Sequence, residues 1–534
     1  MSQVSLQQPI GALIEPKSPA AHPWWISAAV MSAAFMVVLD STVVNVALPH
    51  IAGNLSASID ESTWTLTSYL VANAIVLPMT GWLSSMVGRK NLLLCCLLVF
   101  ILASAACGTA TTLSFLIVAR VIQGLGGGAM QPIAQAVLLE SFPPARRGVA
   151  MAIYGLGVIF APIVGPTLGG WITDTYSWRW VFYINMPVGM LSLLLVQVFI
   201  HDPAYIRQGR AQRIDYIGFV LMAVGLGCLH VMLDKGQQED WLASSLIRAL
   251  LVLSSVGLVA FVFWELYVKD PIVNLRIFLN RNFAVGTLLM TIVGGVMYGA
   301  TAILPLFLQT LLGYPAYQSG LAVSPRGFGS FMAMFMASRL IGRIDSRWML
   351  LIGFAALGYS TYTMGNFNLD IAPINIIWPN IINGFATGLI FVPMTTIAMG
   401  TLRNEEIGNA TSLYNLLRNI GAGIGIAMMT TFLARGAQTH QAAMVSHMTV
   451  YDPAYQQQLQ TIHSALTPIS GSYAAGLQAQ SVMGAQLLRQ ATLWSYVDNF
   501  RAMAFISLAC ILGIFFLRSS RANKNSSRHA AALD

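Results

Sequence analysis

Residues 91–109 read NLLLCCLLVFILASAACGT, a run of nineteen positions without a charged side chain. A helix needs about 20 mostly apolar residues to cross the hydrocarbon core of a bilayer, so this run is long enough to span one. The rest of the chain has the same character, because hydrophobic residues make up 56% of its 534 positions and charged residues only 9%. Soluble proteins carry about a quarter charged residues. The composition therefore excludes an ordinary soluble protein and predicts a polytopic helical membrane protein.

Similar apolar runs recur along the chain, and they predict an all-α fold with fourteen transmembrane helices. The predicted spans are 24–49, 63–86, 91–109, 114–139, 149–171, 181–200, 214–233, 244–267, 283–311, 317–338, 348–365, 373–400, 412–434 and 498–517. All five cysteines fall inside these apolar runs, which argues against a disulfide framework.

Lysine and arginine are distributed unevenly between the two sides of the predicted spans. The tails and the loops on the same side carry 19 of the 28, the opposite loops carry four, and five lie within spans. Because cytoplasmic loops are enriched in these residues, both termini are predicted to be cytoplasmic. The net charge of +8 is thereby accounted for by membrane orientation, and no nucleic-acid partner is expected.

Spans 5 and 13 are both rich in glycine, and their separation of eight spans equals a six-helix repeat plus two inserted helices. Two six-helix halves with the substrate site between them are typical of secondary transporters. The predicted parts are an N-terminal tail (1–23), a first half (24–200), two inserted helices (201–282), a second half (283–517) and a C-terminal tail (518–534). The second half includes a long, partly helical outer loop at 436–497, which is either a solvated loop or a docking surface.

Asp40 is the only carboxylate predicted to lie deep within a span. A charge at such depth is costly and is a functional candidate by default. Arg120 on span 4 lies at a similar depth, so the two side chains are able to pair. Because burial and a nearby cation act on a carboxyl group in opposite directions, such a pair suits proton binding. A permanently paired structural carboxylate is the alternative.

Other residues are candidates for a cavity between the halves. Arg326 and Arg418 lie deeper than snorkelling readily explains, so each either lines the cavity or is structural. The candidate cavity residues are Asn45, Trp64, Tyr69, Gln123, Gln131, Arg326 and Arg418. No metal-ligand spacing, nucleophile motif or phosphate loop is present, so neither an enzyme nor a cofactor is expected.

Span 5 combines glycine and proline in Gly165-Pro166-Thr167-Leu168-Gly169-Gly170. Proline kinks a helix, and small residues allow two helices to approach closely. The segment is therefore interpreted as ordinary packing, as a gate, or as both.

Five segments together carry a family resemblance. They are Leu39–Pro49, Arg120–Gly124, Gly165–Gly170, Trp178–Asn185 and Asn415–Gly421. In order and at these spans, they resemble the major facilitator superfamily and, within it, the fourteen-span drug:proton antiporter branch that contains the EmrB-type multidrug exporters. The loop after the second span also contains residues of the superfamily's loop motif, namely Gly81, Gly88, Arg89 and Lys90. Ser85 stands where the superfamily usually has an aspartate. A conformational lock built on that aspartate is therefore in doubt.

The resemblance implies export of hydrophobic or amphipathic drugs in exchange for protons, with Asp40 and Arg120 in proton coupling and Gly165, Pro166, Gly169 and Gly170 in gating. The proton gradient would be the energy source, and no cofactor is implied. It also implies residence in a bacterial inner membrane, with an EmrA-like membrane-fusion adaptor and a TolC-like outer-membrane channel as partners. The alternatives are a proton-coupled importer of a metabolite and a non-transporting membrane sensor or scaffold.

Overall fold

The computed structural model describes residues 22–143, 146–202, 215–269, 271–341, 343–446, 448–449 and 451–518. The predicted terminal tails lie almost entirely outside these residues. Within the described ranges the regular structure is helical, apart from one isolated bridge between Ile341 and Ile344.

Fifteen helices organise the described chain. They are α1 Pro23–Asn54, α2 Trp64–Val87, α3 Arg89–Gly108, α4 Leu113–Ser141, α5 Arg147–Thr175, α6 Trp180–Phe199, α7 Tyr216–Lys235, α8 Ser245–Tyr267, α9 Arg281–Thr310, α10 Pro325–Leu340, α11 Ser346–Met364, α12 Pro373–Met399, α13 Asn404–Val445, α14 Pro453–Ser470 and α15 Ser472–Ile514. A short helix, Ala316–Val323, precedes α10.

Twelve of these helices, all except α10, α11 and α14, are long and apolar enough to cross a bilayer. Predicted spans 10 and 11 coincide with α10 and α11, which are helical but are not among the twelve. The protein is therefore a multi-pass membrane protein, and the count of fourteen spans stays a prediction.

The helix contacts repeat along the chain. Helix α1 packs on α5 and α2 packs on α4; eight helices later, α9 packs on α13 and α10 packs on α12. Glycines allow these close approaches, since a Cβ on Gly421 would lie 2.0 Å from the carbonyl oxygen of Thr291. The inserted helices α7 and α8 pack on each other where Gly225 meets Gly257. We call α1–α6 the first half and α9–α13 with α15 the second half.

The two ends of the bundle differ. We call the end that carries Pro23 and Leu517 the near face, and the end that carries Asn54 and Val445 the far face. At the near face Arg147 Nη2 donates to Asn404 Oδ1 over 3.0 Å. Nearby, a Cβ on Gly81 would lie 2.9 Å from Cα of Asn409. The two halves are therefore in contact at the near face.

The predicted outer loop at 436–497 is mostly helical. Helices α13 and α15 have 42 and 43 residues, and neither contains a proline. At about 1.5 Å per residue they measure about 63 and 65 Å, roughly twice the hydrocarbon thickness of about 30 Å. Hydropathy marks only the apolar part of each helix, so the polar continuation was predicted as a loop.

Helix α14 packs against α15, and together they form a hairpin beyond the far face. None of the α14 residues is buried. Where the hairpin meets the end of α13 lies a cleft of 430 Å³. Its lining residues are Leu369, Met444, Met448, Met483, Gln486, Leu487, Arg489 and Gln490.

Candidate functional site

Asp40 and Arg120 form an ion pair inside the first half. Arg120 Nη1 donates to Asp40 Oδ2 over 2.6 Å, and both side chains are fully buried. The sequence predicted that the two residues lie at similar depths and are able to pair, and in the structure they are paired. A carboxylate on α1 and a guanidinium on α4 thus neutralise each other away from solvent.

The second carboxylate oxygen of Asp40 is also occupied. Oδ1 accepts hydrogen bonds from Gln123 Nε2 at 3.0 Å and from Asn185 Nδ2 at 2.7 Å. Asn185 is in turn 3.1 Å from Ser104 Oγ. The sequence-based candidates did not include Asn185 or Ser104, although Asn185 closes the Trp178–Asn185 motif. Hydrogen bonds to both oxygens are what a buried carboxylate requires.

The Arg120 guanidinium is held from several sides. Its Nε donates to the carbonyl oxygen of Thr65 over 3.0 Å, and its Cζ lies 4.2 Å from the centre of the Tyr69 ring. Gly124 makes this possible, because a Cβ there would lie 2.4 Å from the Tyr69 carbonyl oxygen. Tyr69 and Gln123 were predicted to line a substrate cavity; the structure places both around the ion pair.

This group, which we call the Asp40 cluster, consists of Asp40, Tyr69, Ser104, Arg120, Gln123 and Asn185. Its net charge is zero when Asp40 is ionised. Protonation of Asp40 would leave the buried guanidinium without a counterion, which is a costly state in a low-dielectric interior.

A second polar group joins the two halves. Arg418 Nη2 on α13 donates to Gln131 Oε1 on α4 over 3.1 Å. One turn away, Asn415 Nδ2 donates to Gln135 Oε1 over 2.5 Å. Arg418 is therefore a boundary residue between the halves.

Arg326 on α10 is a further buried arginine. It donates to the hydroxyl oxygen of Thr301 on α9. Only 8% of Arg326 and 3% of Arg418 are exposed, and neither has a carboxylate within 4.0 Å among the described residues. The second half thus holds two buried cations without a carboxylate partner.

Two predicted cavity residues lie elsewhere. Trp64, at the start of α2, is partly exposed, and Lys235 Nζ of the inserted helix α7 lies 5.4 Å from its ring centre. It therefore contributes to the docking of α7 on the first half. Asn45 is exposed on α1 close to the far face. The depth of a residue along its span does not determine whether its side chain faces the space between the halves.

The glycines of span 5 set the contact between α5 and α1. A Cβ on Gly165 would lie 2.0 Å from Thr42 Oγ1, and one on Gly169 would lie 3.0 Å from the Val43 carbonyl oxygen. Gly170 is less confined, with its nearest neighbour, a Val46 methyl group, at 3.9 Å. The side chain of Pro166 lies outside the described residues. Gating by this segment stays a prediction.

The loop motif after α2 forms a compact near-face structure. Gly88 has φ +87°, a conformation that favours glycine, and a Cβ there would lie 2.4 Å from Asp202 Oδ2. Asp202 Oδ1 accepts a hydrogen bond from the Lys90 backbone N–H at 2.9 Å. Arg89 is paired with Glu140 at the end of α4. These contacts tie α3, α4 and the end of α6 together.

Ser85 occupies the position where a carboxylate was expected. Its Oγ donates to the Trp82 carbonyl oxygen over 2.7 Å, a bond within its own helix. Contact with the second half is made instead by Gly81 against Asn409. The near-face contact at this point therefore depends on backbone packing rather than on a charge at position 85.

Comparisons with known proteins identify the family. The family model described as "Major Facilitator Superfamily" matches residues 30–426. The multidrug export protein EmrB of Escherichia coli (strain K12) is 36% identical over 489 residues, which are 91% of this chain and 93% of that protein. The fatty acid resistance protein FarB of Neisseria gonorrhoeae is 37% identical over 429 residues, 80% of this chain and 84% of that protein.

A solved structure supports the fold. The proton:xylose symporter XylE, a major facilitator superfamily protein, superposes with a TM-score of 0.54 at 13% identity and covers 91% of this chain and 94% of its own. The predicted all-α polytopic fold of the major facilitator type is thereby confirmed. The chain belongs to the major facilitator superfamily and, within it, to the EmrB type.

Proposed function

We propose that the protein exports hydrophobic or amphipathic drugs outward across the bacterial inner membrane in exchange for protons that enter. It is a transporter and not an enzyme. The near face is then cytoplasmic and the far face periplasmic, in agreement with the distribution of lysine and arginine. The observation that carries proton coupling is the fully buried pair of Asp40 and Arg120.

The coupling follows from the charge of the Asp40 cluster. With Asp40 ionised the cluster is neutral and the pair is intact. With Asp40 protonated, Arg120 keeps its charge and loses its strongest partner, so the packing of α1 against α4 is weakened. Proton binding thus favours a different arrangement of these helices, and such a differential preference is what coupling to a conformational change requires.

Transport by purified protein tests this function. The protein is reconstituted into liposomes with an imposed pH gradient, and movement of ethidium and of dodecanoate is followed together with proton flux. We expect uphill movement of at least one compound against the proton flow, dependent on Asp40. Uphill movement in the same direction as the protons would show that the protein is an importer. The absence of any proton-driven flux would favour the remaining alternative, a non-transporting sensor or scaffold.

The hairpin of α14 and α15 is, in this proposal, the docking surface for the EmrA-like membrane-fusion adaptor, which passes cargo to a TolC-like outer-membrane channel. Two large apolar side chains on the hairpin are more than 80% exposed, Ile469 and Tyr473, and Tyr451, just before α14, is 94% exposed. Exposed apolar groups of this kind mark interaction surfaces. Crossing one bilayer does not require a structure that extends so far beyond it.

Shortening the hairpin separates docking from transport. Met444 and Met483 line the same cleft, so a brief Gly/Ser linker can join residue 445 to residue 483 in place of 446–482. We expect liposome transport to persist, while drug resistance of whole cells and co-purification with the adaptor are lost. Resistance and co-purification that survive the deletion would exclude the hairpin as the docking surface.

A point variant refines the same test. Tyr473→Ser removes an 84% exposed ring from the hairpin, and the matched control Tyr267→Ser removes an equally exposed ring from the near-face end of α8. We expect adaptor co-purification to fall only for Tyr473→Ser. Equal results for the two variants would mean that the ring does not contact the adaptor.

A further inference from the structure

Two carboxylates meet where the inserted helices reach the near face. Glu265 lies in the last turn of α8 and is 2% exposed. Asp215 caps the start of α7, where its Oδ1 accepts from the backbone N–H of Gly218 at 2.9 Å. A Cβ on Gly218 would lie 2.5 Å from Asp215 Oδ2 and 2.8 Å from Glu265 Oε1. The two carboxylate oxygens therefore border the same small space.

The two carboxylates differ in their hydrogen-bond partners. Asp215 also accepts from the indole N–H of Trp264, at 2.9 Å on Oδ1 and 2.8 Å on Oδ2. Glu265 Oε2 accepts from the backbone N–H of Val273 at 3.3 Å, whereas Oε1 is buried and has no hydrogen-bond partner among the described residues. Burying an ionised oxygen without a donor is costly. The donors therefore stabilise a negative charge on Asp215 rather than on Glu265.

The surrounding charges do not compensate a second negative charge. Lys269 and Arg276 are the cationic side chains on the adjoining described segments; both are exposed, and neither lies within 4.0 Å of either carboxylate. Tyr216 and Tyr267, the titratable neighbours on α7 and α8, are exposed as well. Helix α13 contributes the neutral Asn409 to this region. Without a cation, two carboxylates that share a site cannot both be ionised.

We propose that Glu265 and Asp215 form a second proton-binding site, in which one proton is shared between Glu265 Oε1 and Asp215 Oδ2. Protonated Glu265 donates through Oε1 to Asp215 Oδ2, which gives the buried oxygen its missing partner. The proton comes from the water at the near face, which the half-buried Asp215 reaches, and it returns there. The assignment of this water to the cytoplasm rests on the proposed function.

A series of contacts links this site to the junction of the two halves. Val273, whose N–H donates to Glu265, is followed by Asn274. The backbone of Asn274 forms two hydrogen bonds with the side chain of Asn409 on α13, its N–H donating over 3.3 Å and its carbonyl oxygen accepting over 3.0 Å. Asn409 is also the residue against which Gly81 of the first half packs. The segment bonded to Glu265 is therefore bonded to the near-face contact as well.

Loss of the shared proton would change this contact in a defined direction. As the pH at the near face rises, the proton leaves and both carboxylates become negative. Their repulsion separates the end of α8 from the start of α7 and moves the segment of Val273 and Asn274, so its bonds to Asn409 weaken. An alkaline cytoplasm would thus favour opening of the near face, and an acidic cytoplasm would keep it closed.

Infrared spectroscopy tests the site without any transport. The full chain is purified in detergent, and its carboxylic acid C=O bands are followed from acidic to alkaline pH. We expect the wild type to lose a band on alkalinisation that Glu265→Gln lacks at every pH. Asp215→Asn should shift that loss to lower pH, because the negative neighbour is gone. Glu239→Gln, which removes an exposed carboxylate at the far-face end of the inserted helices, is the matched control and should resemble the wild type.

A cysteine at the near-face contact reports its opening. Ser84 is 5% exposed, and its Oγ lies 3.9 Å from where a Cβ on Gly408 of α13 would be, so Ser84→Cys reacts with a maleimide only when the halves separate. Cys95→Ser and Cys228→Ser remove the more accessible native thiols. At alkaline pH we expect labelling to be several-fold faster with Glu265 than with Glu265→Gln, and at acidic pH equally fast. The ratio cancels the pH dependence of the thiol itself.

A bound monovalent cation would compensate the two carboxylates in the same way, so both measurements are repeated in sodium, potassium and choline chloride. Results that are independent of the cation support a proton. A labelling ratio that requires sodium or potassium would assign the site to a metal ion and overturn the proposal, as would equal bands and equal labelling with Glu265 and Glu265→Gln. Failure of the exporter function is distinct, because drug transport in liposomes would be absent while the band and the labelling ratio persist.

Discussion

The first and second halves share their helix packing but differ in how they hold charge. Contacts of α1 with α5 and α2 with α4 recur as α9 with α13 and α10 with α12. In the first half Arg120 is neutralised by Asp40, whereas in the second half Arg326 and Arg418 have no carboxylate within 4.0 Å among the described residues. One scaffold thus holds a self-neutralised buried pair in one half and two buried cations bonded to neutral groups in the other.

The largest expected effect follows from breaking the closed pair. Asp40→Asn leaves Arg120 buried without a counterion, which we expect to destabilise the protein by about 3–5 kcal/mol and to abolish uphill efflux. Thermal unfolding in detergent and transport in liposomes measure the two effects separately.

The double variant Asp40→Asn with Arg120→Gln is the control for this prediction. It removes both charges, so we expect most of the lost stability to return while uphill efflux remains absent. Efflux at the wild-type rate in either variant would remove Asp40 from proton coupling.

A smaller effect distinguishes the helix contacts of the two halves. A Cβ on Gly425 would lie 2.3 Å from Cα of Gly295, which is backbone, whereas one on Gly170 would have a Val46 methyl group as its nearest neighbour, at 3.9 Å. The second distance is an ordinary van der Waals contact, whereas the first requires the backbone to move. We expect Gly425→Ala to cost about 1–3 kcal/mol in thermal unfolding, and Gly170→Ala to cost less. The reverse order would show that the α1–α5 contact is the more rigid one.

The smallest effect concerns Arg418, the buried arginine at the boundary between the halves. Arg418→Gln removes a buried charge that no described carboxylate neutralises, so we expect the free protein to become more stable by about 1 kcal/mol. Arg120→Gln should have the opposite sign, because it leaves Asp40 unpaired. The free energies of unfolding of the two variants, measured without added ligand, provide the comparison. Equal destabilisation of the two variants would mean that Arg418 is neutralised inside the protein.

The sequence predicted the elements that depend on hydropathy and depth. Fully apolar runs located the long helices, and counting residues from span ends placed Asp40 and Arg120 at the same level. Depth does not say on which side of a helix a residue lies, so Tyr69 and Gln123 were assigned to a cavity although they contact the ion pair. Asn185 is uncharged, so the criterion that identified Asp40 and Arg120, a charge deep within a span, did not identify it. The polar continuations of α13 and α15 have no hydropathy signal at all.

The unbroken length of α15 has a mechanical consequence. Its residues 472–497, which precede the last predicted span, form a rigid arm of about 39 Å, since a helix rises about 1.5 Å per residue and α15 contains no proline at which to bend. A rotation of the second half by about 15°, as in rigid-body transitions of other proteins, would sweep the end of this arm through about 10 Å. With such a rotation, the arm would move like a lever and displace whatever contacts its tip.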